Sequence, residues 1–240
     1  MTADSSPAGF RHFHDQLSSL KETLLGMSSK AEERTDLAVE ALMNRDRDKA
    51  TLVIDGDVEL NRLEMEVEQA AVELLALQQP MARDLRMLTS ALKIANDLER
   101  VGDHAVNIAQ SAERLIQTRP IAPEPEIIDM ARLAREMLSD ALEAFIRGDA
   151  AGGREVCRRD DKVDALHASV FRILLTHMME DPHTIGAGME LFLVSRNLER
   201  VADLATNIGE DVVFLVEGRS IKHHAEDRGE NRGRTARAGN

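Results

Sequence analysis

Two stretches of the sequence carry the same row of oxygen-bearing side chains. In each stretch a Glu, an Asp and an Asn recur at four-residue steps, and the second stretch follows after 100 residues: Glu99, Asp103 and Asn107, then Glu199, Asp203 and Asn207. Residues four apart lie on one face of an α-helix, so each stretch aligns its oxygen atoms in a row along a helix. Carboxylate and amide oxygens are the usual ligands of hard cations.

A second pair of oxygen-bearing segments precedes the rows. Asp57 and Asn61 come before the first row, and Asp160 and Asp164, 103 residues further on, come before the second. In a bundle of antiparallel helices these segments lie beside the rows. The sequence therefore predicts two clusters of oxygen ligands, one in each half of the chain. The first cluster is expected to be the weaker, because Asn61 supplies a neutral oxygen where Asp164 supplies a charge.

Three interpretations fit these rows. Carboxylates four apart repel by only about 0.2–0.5 kcal/mol on an exposed helix, so a solvated face could hold them. They could also form ion pairs with Arg86, Arg100 and Arg200. The recurrence of the whole row in both halves favours a cation site. Oxygen ligands without thiolates favour Mg²⁺, Mn²⁺ or iron, although zinc also accepts carboxylates.

Several residues near the rows are expected to have structural roles. His104 in the first row is replaced by Leu204 in the second, so a His ligand is not common to both sites. Asp84 and Arg86 lie near the start of the helix that carries the first row and are expected to cap or brace it. The single cysteine, Cys157, excludes an intramolecular disulfide and a multi-thiolate zinc site.

Composition indicates an all-α protein that acts on proteins rather than on nucleic acid. The chain of 240 residues is 43% hydrophobic and 30% charged but only 2% aromatic, which is typical of helical bundles. A net charge of −13 disfavours a nucleic-acid partner. The sequence has no apolar run near the ~20 residues that span a bilayer and no signal-peptide character at its start, so a cytoplasmic location is expected.

The spacing of apolar residues predicts six long helices. They cover roughly residues 13–42, 53–75, 83–117, 127–146, 154–179 and 185–216. Pro80 and Pro182 end the second and fifth of these helices. The proline-rich stretch 119–125 separates two antiparallel three-helix bundles related by pseudo-symmetry, at 10–118 and 126–218. Residues 219–240 are basic, have little to bury and are predicted to be disordered.

The body of the chain resembles the PhoU family, which belongs to bacterial phosphate-specific transport systems. The resemblance rests on four motifs in order: Gln-Pro-Met-Ala-Arg-Asp-Leu-Arg at 79–86, Leu-Glu-Arg-Val-Gly-Asp at 98–103, Met-Met-Glu-Asp-Pro at 178–182 and Leu-Glu-Arg-Val-Ala-Asp at 198–203. It implies two similar three-helix bundles with multinuclear iron or zinc clusters. Four residues match the family's Glu/Asp-x-x-x-Asp motif: Glu99, Asp103, Glu199 and Asp203.

The resemblance also implies a regulatory function. PhoU proteins link a phosphate ABC transporter to a sensor histidine kinase and hold phosphate-starvation genes down when phosphate is plentiful. On this basis we expect a non-enzymatic negative regulator that forms a homodimer and meets the membrane only through its partners.

Two alternatives from other classes remain at this point. A carboxylate-bridged di-iron enzyme uses two Glu-x-x-His pairs. Asp164 and His167 offer one Asp variant of that pair, whereas Glu180 and His183 are separated by the helix-ending Pro182. The other alternative is a metal-free helical adaptor whose acidic faces keep it in solution. The sequence contains no nucleophile triad, phosphate loop or nucleotide fingerprint that would favour an enzyme.

Overall fold

A computed structural model describes residues 7–56, 58–118 and 124–221, with side chains in the first helix from residue 13 onward. Within these ranges the chain is helical and contains no β-strand. In order, the elements are α1 (Pro7–Asn44), α2 (Arg47–Asp55), α3 (Val58–Gln78), α4 (Arg83–Ile116), α5 (Pro125–Arg147), α6 (Ala150–Glu180), a 3₁₀ turn (Pro182–Thr184) and α7 (Ile185–Glu217). The predicted all-α fold is confirmed.

The helices form two bundles, one in each half of the chain, and the two bundles share one hydrophobic core. In the first half α1, α2 and α3 pack around α4, and in the second half α5 and α6 pack around α7. The halves meet where α4 packs against α7 and α1 packs against α5. Buried apolar residues from both halves belong to a single cluster. The linker residues 119–123 and most of the predicted tail, from residue 222, lie outside the described residues.

The second predicted helix differs from its prediction, because in the first half it is divided into α2 and α3 at Gly56. The guanidinium of Arg34 on α1 packs against Gly56, 2.8 Å from where a Cβ would stand. Glycine costs a helix about 1 kcal/mol relative to alanine, which weakens the helix at this point. Arg159 occupies the equivalent position of the second half, and there α6 continues without a break.

Arg45 secures the carboxyl end of α4. It adopts a left-handed conformation with φ 51° where α1 ends. From there its Nη2 donates hydrogen bonds of 2.7, 3.0 and 3.0 Å to three carbonyls, those of Leu115, Ile116 and Thr118. Carbonyls at the end of a helix have no partner within the helix, so this guanidinium satisfies them.

Arg86 has a different role from the one expected. It was predicted to cap or brace its own helix, but its Nε donates a 3.0 Å hydrogen bond to the carbonyl of Leu215, near the end of α7. Gly218 then ends α7 in a left-handed conformation, with φ 72°. The start of α4 is thereby tied to the end of α7 in the other half.

Two ion pairs join α4 and α7 in an antiparallel arrangement. Lys93 Nζ lies 2.8 Å from Asp211 Oδ1 near one end of the contact, and Arg114 Nε lies 2.8 Å from Glu190 Oε1 near the other. Asp211 is only 3% exposed. A carboxylate with so little water around it depends on its cationic partner, so loss of Lys93 would leave a buried negative charge without compensation.

A glycine contact brings α6 and α7 unusually close. A Cβ on Gly153 would lie 2.6 Å from the carbonyl oxygen of Gly209, and a Cβ on Gly209 would lie 2.7 Å from that of Gly153. In the first half, the equivalent positions are the buried alanines Ala50 and Ala109. The second half therefore permits a closer approach of the two helices that carry its oxygen ligands.

Replacing either glycine of this contact should destabilise the protein. Gly153→Ala or Gly209→Ala forces the helices apart, and we expect the free energy of unfolding to fall by about 1–3 kcal/mol, as for other overpacked contacts. Gly26→Ala is the matched control, because no atom lies within 4 Å of its added Cβ. The control should stabilise α1 by up to about 1 kcal/mol. Urea unfolding followed by circular dichroism measures all three, and equal stability of the three variants would contradict the prediction.

Candidate metal centre

Four carboxylates of the second half form what we call the second cluster. Asp160 and Asp164 extend from α6, and Glu199 and Asp203 extend from α7. Asp164 is exposed, whereas the other three side chains are partly buried. All four residues were predicted as ligands from the sequence, and the structure brings them together.

The register of α6 against α7 explains how these carboxylates meet. His167 Nδ1 lies 3.0 Å from the hydroxyl oxygen of Ser195, which marks where the two antiparallel helices touch. One turn from this contact, Asp164 lies opposite Glu199. The polar faces of α6 and α7 therefore lie side by side, with their carboxylates next to one another.

Burial, with a further contribution from neighbouring carboxylates, raises the pKa values of Asp160, Glu199 and Asp203. Burial, reinforced by the charges of Asp203 and Asp164, raises the pKa of Asp160 to about 6. Burial and the charge of Asp164 raise the pKa of Asp203. Burial raises the pKa of Glu199 as well, with a further contribution from Asp203. Negative charge is therefore held here at a free-energy cost, which a bound cation would relieve.

The predicted ligands of the first half are more exposed. Glu99 is partly buried on α4, whereas Asp103 and Asn107 are exposed on the same helix, and Asn61 is exposed on α3. Asp57, the remaining predicted ligand of this half, lies outside the described residues. We refer to these five residues as the first cluster.

The register of α3 against α4 agrees with the predicted arrangement of the first cluster. Asn96 Nδ2 on α4 donates a 3.1 Å hydrogen bond to Glu64 Oε1 on α3. Because these helices are antiparallel, the register places Asn61 of α3 opposite Glu99 of α4. The same pairing of an early helix with a later one occurs in the second half.

Cationic and amide side chains lie between the two clusters. His104 Nδ1 lies 2.9 Å from Asn197 Oδ1 across the α4–α7 contact. Burial lowers the pKa of His104, and the nearby guanidinium groups of Arg100 and Arg200 lower it further. His104 in turn lowers the pKa of Asp203 in the second cluster. The two rows are therefore close enough to influence one another through the seam between the halves.

Thr206 belongs to the environment of the second cluster, although the sequence did not predict a role for it there. Its hydroxyl is buried beside Asp160 and offsets part of the rise in the pKa of that carboxyl, although it is poorly aligned for a hydrogen bond. Val106 occupies the equivalent position of the first repeat, so a hydroxyl in place of an apolar side chain was the available signal. Asn207, which was predicted as a ligand, follows it on α7 and is partly buried.

Comparison with known proteins places this architecture in a family. A model of the PhoU domain matches residues 24–112 and 127–212, one segment in each half. The chain is 38% identical over 216 residues to the phosphate-specific transport system accessory protein PhoU homolog of Aquifex aeolicus, covering 90% of this chain and 98% of that protein. It is 33% identical over 218 residues to the accessory protein PhoU of Serratia marcescens, covering 90% and 88%. The chain belongs to the PhoU family.

Solved PhoU structures share the fold. The crystal structure of PhoU from Pseudomonas aeruginosa superposes with a TM-score of 0.82 at 35% identity, over 86% of this chain and all of that one. The phosphate transport system regulatory protein PhoU from Streptococcus pneumoniae gives a TM-score of 0.82 at 30% identity, over 88% and 99%. Both PhoU domain segments of this chain contain one of the two oxygen rows.

The donor set can be tested against the metal that the PhoU resemblance implies. Carboxylates in the second cluster offer hard oxygen atoms, and burial, with a further contribution from neighbouring carboxylates, raises the pKa values of Asp160 and Asp203. In the part of the chain that the structure describes, no three Asp, Glu, His or Cys side chains converge closely enough to hold one ion. The chemistry of the ligands fits a cation, and coordination requires these side chains to close in around it.

The raised pKa of Asp160 predicts a pH dependence of stability in the metal-free protein. Its carboxyl has a higher pKa folded, about 6, than unfolded, where the ordinary value is 3.8. The unfolded chain therefore loses the proton first, so this group reduces stability progressively from about pH 4 to pH 6 and fully above that. Asp160→Asn should stabilise chelator-treated protein at pH 7.5 by on the order of 1 kcal/mol, since solvent screens a half-exposed carboxyl.

Urea unfolding at pH 4 and pH 7.5 checks this prediction. The difference in stability between Asp160→Asn and the natural sequence should shrink at pH 4, because the Asp160 carboxyl is protonated in the folded protein and only partly ionised in the unfolded chain. Asp161→Asn on the exposed side of α6 serves as the matched control and should show a smaller change between the two pH values. An equal gain for Asp160→Asn at both pH values would contradict the electrostatic explanation.

Proposed function

We propose that this chain is a cytoplasmic negative regulator of phosphate uptake and phosphate-starvation signalling. In this function it couples the state of a phosphate ABC transporter to a sensor histidine kinase. The observation that carries the proposal is the similarity, over 90% of the chain, to proteins named as accessory proteins of the phosphate-specific transport system. Recurrence of the oxygen row in both halves supports the same function, because each of the two segments that match the PhoU domain contains one row.

The surface of the molecule supports regulation through protein partners. The net charge of −13 opposes direct binding to DNA. In the described ranges, none of the helices is long and apolar enough to cross a membrane. Acidic helical faces instead suit contact with basic protein surfaces, either directly or through a bound cation. A homodimer is part of this proposal, and sedimentation of the full chain tests it.

We also propose that both clusters bind metal ions, with iron or zinc as the first choices and Mg²⁺ or Mn²⁺ also compatible. The proposed ligands come from two helices in each half: Asp57, Asn61, Glu99, Asp103 and Asn107, and Asp160, Asp164, Glu199, Asp203 and Asn207. A bound cation would offset the cost of burying the charged carboxylates of Asp160 and Glu199 and the repulsion that adds to it. The second cluster, with four carboxylates, is proposed to bind more tightly than the first.

Removing one carboxylate from the second cluster should reduce bound metal. We expect Asp203→Ala to lower the metal content of untagged protein, with the fold retained because the remaining carboxylates repel one another less. Elemental analysis measures the metal, and circular dichroism checks the fold. Glu143→Ala, which removes an exposed carboxylate of α5, is the matched control and should leave the metal content unchanged.

The double variant Asp103→Ala/Asp203→Ala tests the proposed ligand sets, and measurements on the natural protein distinguish the metal-binding regulator from the two alternatives. Unchanged metal content in the double variant would refute the proposed ligand sets. Little metal in the natural protein itself would favour the metal-free adaptor. Oxygen consumption by a ferrous form would favour the di-iron enzyme.

Loss of the protein should release starvation genes from control. A strain that lacks it is expected to express a phosphate-starvation reporter in rich phosphate, because the transporter can no longer inform the kinase. Expression of the full chain, or of a version truncated after Gly218, should restore repression. Normal repression in the deletion strain would defeat the regulatory function, whereas failed rescue by a stable truncated protein would defeat only the expectation that residues 219–240 are dispensable.

A further inference from the structure

A groove between α5 and α6 lies outside both oxygen clusters. Its volume is about 580 Å³, within the range of roughly 300–1,000 Å³ found for small-molecule sites. One face of each helix lines it: Asp129, Arg132, Leu133 and Glu136 on α5, and Arg159, Lys162, Ala165 and Leu166 on α6. The groove therefore combines apolar side chains with three cationic ones, in a protein whose overall charge is strongly negative.

The equivalent groove of the first half is bridged by an ion pair. Lys30 Nζ on α1 lies 2.8 Å from Glu59 Oε1 on α3. The displacement of 103 residues places Leu133 and Lys162 at these two positions in the second half. Leucine cannot pair with lysine, so the second groove lacks this bridge.

The same displacement shows which side-chain charges differ between the two grooves. Arg132 stands where the first half has Ser29, Arg159 where it has Gly56, and Lys162 where it has Glu59. In the opposite direction, Lys30 and Arg62 of the first half are replaced by Leu133 and Ala165, so the charged side chains are rearranged and the second groove gains one net positive charge. Packing of the two helices does not require such an exchange, because the first half packs without it.

Arg159 provides a buried hydrogen-bond donor that has no acceptor among the described residues. Its side chain is 17% exposed, and its Nη2 donates to Asp140 Oδ2. Its Nε is buried and makes no hydrogen bond in the described structure. Buried donors almost always have a partner, so this donor in the wall of the groove is available to an acceptor from outside the chain, either water or a ligand.

The acidic residues of the groove are already engaged with Arg132. Arg132 Nη1 donates to Glu136 Oε1 at 3.0 Å, and its Nη2 lies 3.5 Å from Asp129 Oδ1. These pairs are formed between exposed side chains of one helix and contribute little stability, so they can rearrange when a stronger anion arrives. Lys162 is exposed and lies on the α6 wall of the groove, opposite the α5 wall that carries Arg132.

We propose that this groove binds a small organic phosphate, with its phosphoryl group between Arg159 and Lys162 and its apolar part against Leu133 and Leu166. A phosphoryl group offers several acceptor oxygens and more than one negative charge, which suits a guanidinium and an ammonium on one wall. The volume of the groove accommodates a nucleotide or a sugar phosphate, and inorganic phosphate would leave the apolar wall uncovered.

Isothermal titration calorimetry on the full chain tests the proposal, with ADP, glucose 6-phosphate, inorganic phosphate and adenosine as separate probes in the presence of a chelator. We expect at least one organic phosphate to bind more tightly than inorganic phosphate and adenosine, and to bind more weakly as salt is added. Lys162→Glu should weaken that binding at least tenfold. Arg135→Gln removes a cation of α5 that does not line the groove and should change binding by less than twofold.

A second variant separates loss of the site from loss of the fold. Leu133→Lys/Lys162→Glu recreates the ion pair of the first half, so it should keep the helical circular dichroism signal and thermal stability while abolishing binding. Binding that survives Lys162→Glu, or that Arg135→Gln weakens equally, would overturn the proposal. Failure of both organic phosphates to bind at millimolar concentration would overturn it too.

Discussion

The packing of α4 against α7 determines where the chemically interesting residues lie. Lys93 and Asp211 form an ion pair at one end of this contact, and Arg114 and Glu190 form one at the other. With both ends held, the helices cannot slide, and the two oxygen rows stay on either side of a common seam. His104 lies across that seam from Asn197, and this side chain of the first half lowers the pKa of Asp203 in the second half. A cation bound in one cluster would alter the potential at its counterpart.

Much of this architecture follows from the sequence because helical periodicity and repetition are local signals. The four-residue spacing that aligns Glu199 with Asp203 needs no tertiary information, and Pro182 ends a helix for stereochemical reasons alone. Antiparallel neighbours then bring Asp160 and Asp164 to the same place. The fold and the second cluster could therefore be predicted in advance, together with the family resemblance.

Features that depend on contacts between distant elements could not be predicted. Arg86 was expected to brace its own helix, yet it reaches the carbonyl of Leu215, 129 residues away. The second helix is divided at Gly56, where a guanidinium from another helix, that of Arg34, packs. Helical spacing in the sequence also does not reveal the distances between the candidate carboxylate ligands, which do not come close enough together to hold one ion among the described residues. Those distances depend on side-chain conformations and on the glycine contact of α6 with α7. The role of Thr206 was not predicted because it depends on the contact of this α7 residue with Asp160 on α6.

The ion pairs of the α4–α7 seam also make the two halves mutually dependent. If two copies of the first half paired through α4, the repeat would place Ser111 opposite Lys93 and Ser90 opposite Arg114, so neither cation would meet an anion. Two copies of the second half would set Asp211 against Leu193, leaving a carboxylate buried without a partner at a cost of about 3–5 kcal/mol. Although the halves share a fold, each carries the charges that the other lacks. The contact therefore distinguishes its two sides and favours the pairing of a first half with a second half over the pairing of two identical halves.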